Sequence, residues 1–317
     1  MKRNLFTTMA ILTIVIFSVV FTSAQARPPL PQVSSKASVM QRIGTTDVSI
    51  TYSRPAVKGR MVWGEWPTAV EGERTLDDGR ARPAGAPLVP NGHLWRAGAN
   101  EATLFVVNDD VLVNGQALAA GKYSLHMIPG KEEWTVVFNS DDGQWGSFQY
   151  DAKKDALRVK TKPQMVADSK ELLYYNFDNV TDKSGTVYLR WEKVKVPFTV
   201  EIKDVVGSTM ARLRTYVAGA KADEPGPAFT AANYAKTNKL TEDATKWFDM
   251  AVKASDELIK AKPSFANYRM RSNIFYAAGR MPESATAAER AVELGKAEKA
   301  DTAALEKRIA DIKAGKN

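Results

Sequence analysis

Cysteine is absent from all 317 residues, and histidine occurs only twice, at His93 and His126. The first absence excludes disulfide scaffolds, thiol catalysis, cysteine-based zinc sites and acyl-anchored lipoproteins. The second excludes metal sites built from several histidines. The paired aspartates at 109–110 and 141–142 lack the spacing of a calcium loop. We therefore predict neither a metal nor a cofactor.

Long runs of one charge are also missing. The chain has 44 lysines and arginines against 36 aspartates and glutamates, a formal charge of +8, but the two signs are interspersed. Because there is no basic tract, we expect no nucleic-acid partner. With 44% hydrophobic and 25% charged residues the composition is globular, and the length suggests about two domains.

The one long apolar run lies at the N-terminus. Lys2 and Arg3 precede an uncharged, mostly apolar stretch from residue 5 to 21, and Ala24 and Ala26 then provide an A-x-A cleavage site. This arrangement predicts a secretory signal peptide over residues 1–26 and export to the periplasm or the extracellular space. The alternative is an uncleaved N-terminal anchor. After cleavage we expect no membrane insertion, because no other stretch is long and apolar enough.

The region from 27 to 206 has the period of half-buried strands. Apolar and polar residues alternate, for example at Val48, Ile50 and Tyr52, and glycine, asparagine and aspartate turns separate about ten such segments. No helical pattern lies between them. The fold class predicted here is therefore mainly β, an antiparallel β-sandwich that is jelly-roll-like.

Two connections in this β region carry specific expectations. The turn at 108–110 separates two short apolar runs and predicts a hairpin. The stretch 65–87 is rich in glycine, proline and charge and interrupts the strand rhythm, so we interpret it as a mobile loop insertion.

After residue 206 the apolar period changes to that of helices. Residues 207–227 read as a helix and a proline-glycine linker, and residues 228–317 as an α-helical tail in which Pro263 and Pro282 mark breaks. Aromatic and small residues recur at a spacing of 41 residues, and this internal repeat resembles tetratricopeptide-type helix pairs. This tail predicts contact with a protein partner.

Six residues are candidates for ligand binding, and they fall into two clusters of arginine, tryptophan, amide and carboxylate. The candidates are Arg54, Arg60, Trp95, Arg96, Asn100 and Glu101. A guanidinium, an amide and a carboxylate within a short segment of sequence can bind a carboxylate, a sugar or a peptide group through hydrogen bonds. Glu101 is also a weak candidate for a general acid or base. The alternative is structural, with the arginines pinning loops.

Other polar and aromatic side chains are weaker candidates. His126 lies beside Ser124 in a predicted strand, but no nucleophile-elbow motif supports a catalytic triad. Trp134 and Trp191 are in phase with their strands and are expected in the core. Trp145 lies in a glycine-flanked loop, where core and surface positions remain equally open.

Five segments together resemble a known family. They read RPxxKGRxxWG from 54 to 64, WRxGANEAT from 95 to 103, AGxYSL from 120 to 125, WTVVFN from 134 to 139 and QWGxxxY from 144 to 150. Their order and spacing over about 35–205 are similar to the domain of unknown function 2911 family (DUF2911). The resemblance implies an exported protein of bacteria with a two-membrane envelope. It supplies no catalytic residue, and the 65–87 insertion departs from the family's usual spacing.

The sequence therefore favours a non-catalytic exported protein. Its β-sandwich would bind a small-molecule or glycan ligand, and its helical tail would contact a partner. Two alternatives stay open: an envelope glycan or peptide hydrolase that uses Glu101 as acid/base, with Arg96 orienting the substrate, and a purely structural scaffold.

Overall fold

A computed structural model describes residues 30–66, 74–77 and 84–316. The predicted signal peptide lies outside the described residues. All elements below belong to one compact unit that begins at Ser34. Its strands are β1 (Ser35–Ile43), β2 (Thr46–Arg54), β3 (Trp63–Gly64), β4 (Arg74–Thr75), β5 (Val89–Pro90), β6 (His93–Leu94), β7 (Thr103–Val107), β8 (Val111–Val113), β9 (Gln116–Leu118), β10 (Gly121–Ile128), β11 (Trp134–Asn139), β12 (Asp155–Thr161), β13 (Gln164–Asp178) and β14 (Ser184–Glu201).

Two antiparallel sheets pack face to face. The larger has the strand order β1-β2-β7-β10-β11-β12, and the smaller has the order β13-β14-β8-β9. Phe198 of the smaller sheet lies 6.3 Å from Phe105 and 5.8 Å from Phe138 of the larger sheet, measured between ring centroids. All three rings are buried, so the core lies between the sheets. The predicted antiparallel β fold is confirmed.

The alternating pattern explains why these segments form strands. In β2, Val48, Ile50 and Tyr52 are buried, and the residues between them are mostly half-exposed. Successive side chains of a strand point to opposite faces of the sheet, so this pattern buries one face of β2 and leaves the other more exposed to solvent. In β11 all six residues are buried, because loops cover the outer face of the larger sheet at this point.

The prediction of a hairpin was wrong. The turn at 108–110 does not close a hairpin, because β7 pairs with β2 and β10 while β8 pairs with β14 and β9. The turn carries the chain from one sheet to the other. One long strand, β14, contains both of the apolar runs 187–191 and 198–201. Pro197 is tolerated there because β14 pairs with β13 up to Lys195 and with β8 from Val200 onward.

The described part of the 65–87 insertion is anchored. β4 forms a short parallel pair with β6, in which Arg74 is opposite His93 and Thr75 is opposite Leu94. The backbone N–H of Leu76 donates to the carbonyl of Leu94 at 2.8 Å. Residues 67–73 and 78–83 of the insertion lie outside the described residues.

Within the described residues, six helices follow the sheets. They are α1 (Val205–Ala218), α2 (Pro225–Thr237), α3 (Thr241–Ala261), α4 (Phe265–Ala277), α5 (Met281–Ala297) and α6 (Ala303–Lys313). The proline-glycine segment expected as a linker forms the first turn of α2 instead of preceding it. Proline is compatible with this position because the backbone N–H groups of a first helical turn have no partner within the helix, so the N–H that Pro225 lacks is not needed. No helix within the described ranges is long and apolar enough to span a bilayer.

Small buried residues bring the helices of each pair together. Ala231, Ala235 and Ala251 are fully buried at the α2–α3 contact, and Ala288 and Ala291 are fully buried on α5. The helical C-terminal extension is thus present, and its likeness to tetratricopeptide repeats stays a prediction.

Candidate functional site

The segment from 95 to 103 folds on itself. Trp95 is 2% exposed, and its indole N–H donates to the carbonyl of Gly98 at 3.0 Å. The Thr103 hydroxyl donates to the carbonyl of Ala97 at 3.0 Å, and the Tyr175 hydroxyl donates to the same carbonyl at 2.8 Å. The Trp95 indole also stacks on the buried indole of Trp191. This candidate is therefore part of the core and presents no surface to a ligand.

Arg96 holds a loop in place. Its Nη1 donates to Oδ1 of Asp77 at 2.6 Å, and the other oxygen of that carboxylate accepts from the Ser147 N–H at 2.8 Å and from the Ser147 hydroxyl at 2.7 Å. The Asp77 side chain is 9% exposed, so this ion pair is largely shielded from water. Arg96 thus connects the 65–87 insertion to the loop after β11, which is the structural alternative considered for the arginines in the sequence analysis.

Arg54 and Arg60 bond to backbone carbonyls. Arg54 Nε donates to the carbonyl of Leu173 at 2.9 Å. Arg60 Nη2 donates to the carbonyl of Ala56 at 2.7 Å, and its Nε to that of Val57 at 3.1 Å. These contacts fasten β2 to β13 and close the turn after β2. Neither arginine lines a recess with the other four candidates.

Asn100 and Glu101 lie next to each other but have different roles. Asn100 has a φ of 58°, a region that asparagine tolerates, and its side-chain N–H donates to the carbonyl of Ser34 at 3.0 Å. Glu101 forms a backbone bridge with Trp145, and its side chain is 40% exposed. Its carboxylate lies 3.8 Å from Lys36 Nζ and 3.5 Å from the Ser53 hydroxyl. Of the six candidates, Glu101 is the one whose charged group lines a recess.

This recess has a volume of about 160 Å³, and both apolar and charged side chains line it. Glu101 shares it with Lys36, Asp142 and Gln144. Gln144 is 4% exposed, and its Oε1 is buried without a hydrogen-bond partner within the described residues. A buried carbonyl oxygen of this kind costs free energy unless a donor reaches it. Gln144 thus contributes to the lining of the recess and also carries a buried acceptor without a described donor.

An aromatic side chain stands beside the recess. Trp145 follows Gln144 directly, bridges Glu101 through the backbone and is 55% exposed. Since most tryptophan area is buried in folded proteins, an indole this open is an unusual exposed aromatic surface, although Trp145 is not part of the recess lining.

His126 is buried away from this recess. Its side chain is 0% exposed, the Ser124 hydroxyl lies 3.4 Å from its Nδ1, and the Tyr150 ring is 5.2 Å away between centroids. Burial lowers the pKa of His126 from 6.5 to about 4, so the imidazole is neutral at pH 7. The Tyr150 hydroxyl donates to Asp155 Oδ2 at 2.7 Å, and burial raises the pKa of Tyr150 well above its usual range. This polar layer rigidifies the outer face of the larger sheet.

Sequence reasoning missed three residues of the recess. Lys36 comes from β1, whereas Asp142 and Gln144 come from the turn after β11, so no local motif joins them. Asp77 was missed as well, because its partners Arg96 and Ser147 are 19 and 70 residues away along the chain. Of these residues, Gln144 could have been selected from the sequence, because it begins the QWGxxxY segment shared with the family.

A second, larger recess lies among the helices. Its volume is about 590 Å³, and it is formed between α3, α4 and α5. Ile259, Tyr268 and Phe275 give it an apolar lining, and Arg271 and Arg290 flank it. Arg271 is paired with Asp256 on α3, and Arg290 is paired with Glu293 on its own helix.

These features define a two-sheet β-sandwich with an acidic recess, followed by six helices. Comparison with known families agrees: the chain belongs to the family described as Protein of unknown function (DUF2911), which matches residues 34–200, more than half of the chain. The match covers nearly all of the two sheets and ends before α1. No curated protein and no solved structure matches the chain.

Proposed function

We propose that this chain is a non-catalytic binding protein whose β-sandwich holds a polyhydroxylated ligand, a glycan unit, in the recess at Glu101. The observation that carries the proposal is the recess itself, in whose lining Glu101, Asp142 and Lys36 meet beside Gln144. Sugar hydroxyls can donate to the Glu101 carboxylate and accept from Lys36. The open face of Trp145 beside the recess supplies the stacking surface for the sugar ring.

The recess itself is smaller than the 300–1,000 Å³ of a typical drug-sized pocket. It therefore fits one sugar ring or part of one, with the rest of a chain lying over the surface. Binding of this type is weak for a single ring and increases with the number of rings that stack.

Calorimetric titration with chitotriose and cellotriose tests this proposal. We expect saturable binding that weakens about five-fold on Trp145→Ala, because stacking is worth about 1 kcal/mol. Glu101→Gln should weaken binding as well. Glu201→Gln is the matched control, since Glu201 lies at the end of β14 and does not line the recess. Absence of binding to both glycans, or equal loss with Glu201→Gln, contradicts the proposal.

A hydrolase is the second candidate, and one observation favours it. Asp142 lines the same recess as Glu101, and glycoside hydrolysis uses two carboxyl groups. If the protein is an enzyme, the wild-type chain releases reducing ends from these oligosaccharides, and Glu101→Gln and Asp142→Asn each abolish the release. If it is a binding protein, the wild type releases none although it binds.

We further propose that the helices contact a protein partner through the α3–α5 recess. An apolar lining flanked by two arginines suits an apolar side chain next to carboxylates. A photo-crosslinking residue at the exposed Thr286, which lines this recess, should capture the partner in cells. The same residue at the exposed Lys253 of α3, outside the lining, should not capture it.

Export is also part of the proposal and is supported by the sequence of residues 1–26. Mass spectrometry of the protein from a bacterial host should give a mature N-terminus at Arg27. A full-length chain that remains in the cytoplasm would contradict it.

A further inference from the structure

Four tryptophans meet at one end of the sandwich. Trp63 of β3 contacts the indoles of Trp134, Trp191 and Trp95 edge-to-face, with ring centroids 5.1, 5.5 and 5.8 Å away. Trp134, Trp191 and Trp95 are almost fully buried, whereas Trp63 is partly exposed. The buried indole N–H of Trp63 has no oxygen or nitrogen acceptor within the described residues. Neighbouring ring faces can accept it in part, because an N–H can point at a π system.

A cavity opens over this cluster. Its volume is about 330 Å³, and Trp63 and Trp134 line it together with Met165 and Val194. Met165 is 74% exposed, so an apolar thioether stands at the mouth. The cavity has the size and the mostly apolar lining of a small-molecule site. It shares no lining residue with the recess at Glu101.

Two charged residues, Lys131 and Glu132, line the cavity. The charge of Lys131 is offset by Glu65, whose carboxylate lies 3.3 Å from Lys131 Nζ and accepts from the Asn91 side chain at 3.0 Å. These two contacts lower the pKa of Glu65. Glu132, which lines the cavity, is exposed and has no ion pair or hydrogen bond with any described residue.

We propose that this cavity binds a small organic cation with an apolar body, such as a quaternary or alkylated ammonium. Indole faces attract cations through the ring quadrupole, and the thioether of Met165 is polarizable. The Glu132 carboxylate supplies the matching negative charge at the mouth. A neutral sugar gains nothing from this charge, and an anion is repelled by it.

Intrinsic tryptophan fluorescence measures the binding directly, because Trp63 and Trp134 line the cavity. The probes are tetraethylammonium and choline, with glucose and acetate as comparison solutes. We expect a saturable change in emission with the two cations at low ionic strength, reduced by added salt. No saturable change with either cation, or an equal change with glucose, overturns the proposal.

Paired substitutions locate the site. Glu132→Gln should weaken cation binding about five-fold, whereas Glu133→Gln, which alters the next carboxylate outside the lining, should leave it unchanged. Met165→Lys should abolish the saturable response by placing a like charge at the mouth, and Met40→Lys at another exposed methionine, on β1, should not. All four positions are exposed, so far-ultraviolet circular dichroism should show native folding. Equal effects within either pair overturn the assignment.

Discussion

Acidification should destabilise the fold through His126, the fully buried imidazole of β10. In the folded chain its pKa is lowered to about 4, chiefly because burial removes water from the charged form. In the unfolded chain the imidazole titrates near 6.5. Between these two values the unfolded state therefore binds more protons than the folded state, and the free energy of unfolding decreases as the pH decreases.

The magnitude follows from the two pKa values. A difference from 6.5 to about 4 corresponds to about 3 kcal/mol at full protonation, and about 2 kcal/mol of this is already lost at pH 5. Above pH 7.5 the imidazole is neutral in both states and its contribution to the pH dependence vanishes. At pH 5 most carboxylates are still ionised, so the effect of His126 can be separated from general acid denaturation.

Urea unfolding followed by circular dichroism at pH 7.5 and pH 5 provides the measurement. The wild type should lose about 2 kcal/mol between the two conditions, and His126→Gln should lose much less because glutamine does not titrate. The variant measured at pH 7.5 serves as its own control, since any packing defect is present at both pH values. An equal pH dependence in the wild type and the variant would refute the assignment to His126.

Two further predictions concern the segment from 95 to 103. Gly98→Ala would place a Cβ 2.8 Å from Thr103 Oγ1, so we expect a loss of about 2 kcal/mol by urea unfolding, whereas Gly226→Ala, with open space around it, should be nearly neutral. Arg96→Ala leaves the Asp77 carboxylate shielded from water without its guanidinium, and should lower the stability by about 3 kcal/mol, with Arg96→Lys recovering part of the loss. Unchanged melting temperatures in Gly98→Ala or Arg96→Ala would contradict the structural role of this segment.

The candidate site was only partly predictable. Glu101 was selected because polar groups crowd its neighbourhood in the sequence, and it does line a recess. The same crowding selected Trp95 and Arg96, which instead close the core and anchor a loop. A local sequence pattern cannot separate these outcomes, because the Asp77 carboxylate that binds Arg96 comes from a distant segment.

The sequence by itself determined the two periods, strand-like up to about residue 206 and helical after it, because alternation of buried positions is a local property of each element. It also determined the family, through motifs of fixed order and spacing. Only the tertiary structure decided which sheet each strand joins, as at the turn between β7 and β8, and which polar side chains share a recess. Those choices depend on contacts between segments far apart in the chain, where packing of side chains such as Phe105 and Phe198 selects one arrangement.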